Sequence, residues 1–112
     1  MKITKLTDDS SWLIEMADFT LVVDPWFTAQ QVDGHPWFSL QKRAETYGPF
    51  EFPKDKPLFI FVSHPFSDHC HKESLLTFPT ETVVIAEDRA LKKIRSWNYF
   101  AALKPIAKAP FL

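Results

Sequence analysis

Leu58-Phe59-Ile60-Phe61-Val62-Ser63-His64-Pro65-Phe66-Ser67-Asp68-His69 opens with five unbroken apolar residues and then turns abruptly polar. An apolar run without alternation predicts a strand covered on both faces, as in the middle of a sheet. The polar segment lies at the carboxyl end of that strand, where open α/β sheets collect ligands. Three of the four histidines, His64, His69 and His71, fall within eight residues here, with Asp68 and Cys70 among them. Imidazole and carboxylate are ordinary zinc ligands, and a catalytic zinc takes three of them from the protein and leaves a position for water. The other reading is a polar loop whose histidines are exposed or merely hydrogen-bonded.

Working outward toward the amino terminus, Lys2 to Leu6 alternates polar and apolar residues and predicts a half-buried strand. Thr7-Asp8-Asp9-Ser10 is a turn cluster, because its short polar side chains bond their own backbone. Trp12 to Met16 and Phe19 to Val23 follow as strands joined at Ala17-Asp18, a hairpin length. Pro25 cannot donate to a ladder, so the third strand should stop at Asp24. From Pro25 to Pro57 the pattern dissolves into prolines, both glycines and the rings of Trp26, Phe27, Trp37, Phe38, Tyr47, Phe50 and Phe52. A loop of that length is either a lid over a site or an apron of aromatics closing one end of the core.

Toward the carboxyl terminus, Lys72 to Phe78 predicts a short helix and Thr82 to Ala86 another buried strand. Glu87 to Trp97 predicts the clearest helix, with Leu91 and Ile94 facing inward and Lys92, Lys93 and Arg95 facing water. Its acidic start and basic end both suit the helix dipole. Lys104 to Leu112, with Pro105 and Pro110, reads as a tail. The alternation of strands and helices implies an α/β (α+β) chain with a mixed sheet and some parallel pairing.

The 112 residues are enough for one domain, since domains run to roughly 100–150 residues. A share of 46% hydrophobic and 24% charged residues excludes a disordered chain. A net charge of −1 gives no basic face for nucleic acid. No apolar run approaches the ~20 residues needed to span a bilayer, so no membrane is expected. One cysteine and no secretory signal are the pattern of a cytoplasmic protein.

His64-Pro65-Phe66-Ser67-Asp68-His69 resembles the H-x-H-x-D-H signature of the metallo-β-lactamase superfamily, in its small metal-dependent hydrolase branch. The opening Met1-Lys2-Ile3 hairpin fits as well. So does Val22-Val23-Asp24-Pro25-Trp26, which looks like the strand ending in Asp-Pro that precedes the metal loop. The resemblance covers essentially the whole chain. It implies half of an αβ/βα sandwich, a mixed sheet with helices on one face. His64, Asp68 and His69 would hold the metal, with Asp68 also orienting a water and Asp24 orienting a histidine. The metal would be zinc, or manganese or iron, since such donors accept all three. The implied activity is attack of metal-bound hydroxide on an ester, lactone, amide or phosphoester bond of a small-molecule substrate.

Two departures qualify this activity. Phe66 stands where the family has its second histidine, and a phenyl ring cannot coordinate a metal. The chain is also about half the family's length and has no histidine after His71, so it would hold one metal at most. It looks like the amino-terminal half of the family fold. Its uncovered sheet face would pair with a second copy, as a homodimer, or with a carboxyl-terminal half. A catalytically inactive binding or assembly module is the alternative. His71 has the wrong spacing to replace the missing ligand, and His35 would reach the site only from the long loop. Cys70 reads as a buried filler, and neither Ser63 nor Ser67 has the partners of a nucleophile.

Overall fold

The computed structural model describes residues 1–7, 10–27, 50–66 and 69–110. Six strands form one sheet in sequence order: β1 (Lys2–Lys5), β2 (Trp12–Glu15), β3 (Thr20–Val23), β4 (Leu58–Val62), β5 (Val83–Ala86) and β6 (Ala102–Pro105). The first three pair antiparallel, β2 and β3 through a hairpin at Ala17-Asp18. From β3 onward every pair is parallel, with Val22 beside Ile60, Ile60 beside Val84 and Val84 beside Leu103. Parallel neighbours need crossovers, and α1 (Lys72–Leu75) and α2 (Asp88–Arg95) supply the last two. The sheet is therefore mixed, as expected.

The two faces of the sheet differ. Leu13, Val22, Ile60, Val62, Val84 and Ala86 point to one side and form a core with Leu75 of α1 and Ala90, Leu91 and Ile94 of α2. On the other side, Ile14, Leu21, Phe59 and Val83 form a row across four strands and are each only half-buried. Trp12, in the adjacent row, is 36% exposed. The unbroken run Leu58 to Val62 predicted burial on both sides. β4 is instead buried at Ile60 and Val62 and half-buried at Phe59 and Phe61, because α1 and α2 both pack on the Ile60 face, although Ile85, beside Phe61 on the other face, is fully buried.

The remaining differences from the expected elements have local causes. The helix expected over 72–78 stops at Leu75, and Leu76 to Phe78 form turns closed by Thr77 N–H to Ser74 O and Phe78 N–H to Leu75 O. The helix expected over 87–97 runs from Asp88 to Arg95. Glu87 caps it by accepting from the Ala90 N–H at 2.6 Å. The expected tail begins inside β6, whose last two residues are Lys104 and Pro105. Asn98 takes a left-handed φ of 52°, which asparagine tolerates, and turns the chain back onto the edge of the sheet. Pro105 ends this edge strand, a position where a missing N–H costs little.

Most of the 25–57 loop lies outside the described residues. In its described part, Phe50 packs tilted against Phe27 at 4.7 Å between ring centroids and Phe52 stacks on Phe78 at 5.4 Å. These rings border a groove of about 920 Å³ at the amino ends of β4 and β5, where Pro57 and Thr82 also line it. The histidine loop is at the opposite, carboxyl end of the same strands.

Candidate functional site

Parallel pairing of β3 with β4 brings Asp24, just past the end of β3, within side-chain reach of Ser63, just past the end of β4. The Asp24 backbone sits at a φ of 45°, a left-handed conformation that aspartate accepts more readily than most residues. Its N–H donates to Phe61 O at 2.8 Å, and its own carbonyl accepts from the Ser11 hydroxyl at 2.7 Å. Ser11 Oγ in turn accepts from the Trp26 N–H at 2.9 Å. Ser11 is fully buried, so this one hydroxyl holds both sides of the turn.

The Asp24 side chain points into the sheet end and is only 4% exposed. A buried carboxylate needs donors around it, and three are in place. Ser63 N–H donates to Oδ1 at 2.7 Å, Ser63 Oγ–H donates to Oδ2 at 2.5 Å, and His69 Nδ1 lies 2.7 Å from Oδ2. A carboxylate only accepts, so Nδ1 of His69 carries the proton of this contact, and in the neutral ring Nε2 is then the nitrogen with the lone pair. This is how metal-binding imidazoles are commonly oriented. The His64 ring lies beside that of His69, with centroids 4.9 Å apart. The loop closes on itself through Phe66 O, which accepts from the N–H groups of His69 at 2.9 Å and Cys70 at 2.7 Å.

The structure thus brings His64, His69 and Asp24 together. Asp68, the remaining expected ligand and the expected catalytic residue, lies outside the described residues, as do Ser67 and His35. Among the described residues, no three His, Cys, Asp or Glu side chains form a metal-ligand set. Phe66 is 42% exposed on the same loop and offers no donor atom.

Neighbouring residues have other tasks. His71 is 2% exposed, caps α1 through its contact with the Ser74 N–H, and lies 2.8 Å from Ser74 Oγ. Cys70 is 1% exposed within the core cluster, as a small filler should be. Ser63 has a partner after all, but its hydroxyl is directed at the Asp24 carboxylate, so it orients that group. Sequence reasoning missed Ser11 and this role of Ser63. The only signal for either was a serine next to a strand end, which is too common to single out.

The family model that matches, described as a beta-lactamase superfamily domain, covers residues 2–104. Neither the curated proteins nor the solved structures give a match.

Proposed function

Because the chain belongs to the beta-lactamase superfamily, we propose that it is a metal-dependent hydrolase whose single metal ion is held by His64, Asp68 and His69. The superfamily is usually metal-dependent. The observation that supports the reading is the 2.7 Å contact between Asp24 and Nδ1 of His69, which in the neutral ring leaves Nε2 available as a ligand beside His64. The residues fit one ion: two adjacent imidazoles, one held by a buried carboxylate, with Asp68 contributing the third donor from its place in the motif. Zinc is the first choice, with manganese or iron accepted by the same donor types. With Phe66 in the second-histidine position, a second ion in this chain would lack its ligands.

When bound, the ion supplies a polarised water at neutral pH for hydrolysis of an ester, lactone, amide or phosphoester bond in a small molecule. The chain's own residues orient and hold. Ser63 holds Asp24, Asp24 keeps the proton on His69 Nδ1, and Asp68 directs the attacking water. We also propose a cytoplasmic location, in which the thiol of the free, buried Cys70 would stay reduced.

The open row of Ile14, Leu21, Phe59 and Val83 supports a second proposal, that another copy of the chain packs its own sheet against this face. No helix among the described residues is long and apolar enough to cross a membrane.

Phe66 favours one other reading, an inactive module that keeps the fold. Elemental mass spectrometry of untagged protein, after incubation with zinc, manganese or iron, decides between them. Near-stoichiometric metal that is lost in folded Asp68→Ala and His69→Ala supports the hydrolase site. Wild-type protein that takes up none of the three overturns it.

A further inference from the structure

We infer that Lys93 is a positioning residue for the histidine loop, holding the turn between His64 and His69 from the helix layer; this rests on the metal-site reading and extends it to a residue outside the motif. Lys93 was expected on the solvated face of α2 with Lys92 and Arg95. Those two are exposed, but Lys93 is half-buried and its ammonium donates to the Pro65 carbonyl at 2.6 Å, 28 residues away in sequence.

The helix that carries it is firmly placed. Ala90 and Ile94 are fully buried, and the Glu87 N–H at the helix start donates to Val62 O, the end of β4. A long side chain reaching from such an element fixes whatever it grips. What it grips is the middle of the loop. Ser63 is tied to Asp24 on one side, and Phe66 O is tied to His69 and Cys70 on the other. His64-Pro65 lies between those two anchors, and its ring and peptide are exposed or half-exposed. The bond from Lys93 is charge-assisted, hence stronger than one between neutral groups, and partial burial protects it from salt. Asp24 holds the His69 ring on its side of the loop, and the bond from Lys93 holds the backbone on the His64 side.

Lys93→Met keeps the stem and the helix propensity and removes the donor, while Lys93→Arg keeps a cationic donor. Amide hydrogen exchange of metal-free, 15N-labelled protein is read at His69 and Cys70 against the amides of β4 and β5. In Lys93→Met the two loop amides should exchange about ten-fold faster with the strand amides unchanged, and Lys93→Arg should restore them. Zinc affinity, by competition with a chromophoric chelator, should fall about ten-fold in Lys93→Met and recover in Lys93→Arg, the scale seen when a supporting partner of a metal ligand is removed. Unchanged loop exchange, or a rise shared equally by the strands, overturns the inference. Wild-type protein that binds no zinc overturns the metal reading instead, and the exchange data then decide the role of Lys93 alone.

Discussion

Oδ2 of Asp24, at the end of β3, lies 2.7 Å from Nδ1 of His69, 45 residues further along the chain. Parallel pairing of β3 with β4 is what makes this contact, since it puts both carboxyl ends at one edge of the sheet. A buried carboxylate with three donors then fixes the ring of an imidazole that is itself only 24% exposed.

Asp24→Asn tests that relationship. The amide keeps the shape but loses the charge that accepts from Ser63 and His69. Zinc affinity should fall by about ten-fold. Stability should fall by about 1–3 kcal/mol, because the amide keeps one acceptor oxygen but turns an NH2 donor toward the remaining buried donors. Chelator competition and urea unfolding measure the two effects separately. Full zinc affinity in a folded variant would mean that Asp24 does not orient the ligand.

Phe66→His restores the missing imidazole at an exposed position. Exposed substitutions usually change stability by less than about 0.5 kcal/mol, so the readout is metal alone. Zinc affinity should rise at least about ten-fold, an energy of about 1.4 kcal/mol. Titration against the same chelator checks it.

Glu87 governs the pH dependence of α2. Burial pushes its carboxyl upward, but the N–H groups of Ala90 and Arg89 and the charge of Arg89 outweigh that and hold it below its ordinary 4.5. A lowered value in the folded chain means the carboxylate contributes stability above pH 4.5 and loses it as pH falls through the lowered value. Glu87→Ala should therefore cost about 1 kcal/mol at pH 7. The gap from wild type should close in strong acid. Urea midpoints at pH 7 and pH 3 give the comparison.

Trp12→Glu tests the open sheet face. Trp12 is 36% exposed beside the half-buried row, so a charge there should leave the fold intact and oppose association with a second copy. Sedimentation velocity should give a dimer for wild type and a monomer for the variant. A wild-type chain that stays monomeric at high concentration removes the dimer proposal.

Much of the architecture was legible along the chain. The alternation of Lys2 to Leu6, the hairpin at Ala17-Asp18 and the apolar run Leu58 to Val62 each became strands at nearly the expected bounds. β6 was not legible, because Lys104 and Pro105 read as a tail. Only the return of the chain from α2 gives Ala102–Pro105 a strand to pair with. In the same way, Lys93 read as a solvated charge because helical periodicity describes one helix and says nothing of the loop that packs beside it.

Local composition determined most of the strand and helix segments, the turn residues and the clustering of His64 and His69 in one loop, because each follows from periodicity or from the order of side chains along the chain. Tertiary structure alone decided which face of β4 is buried, that His71 caps a helix, and that Ser11, Asp24, Ser63 and His69 act as one group. Those outcomes depend on strand order and register, which bring residues dozens of positions apart within hydrogen-bond distance, and no local pattern encodes that distance.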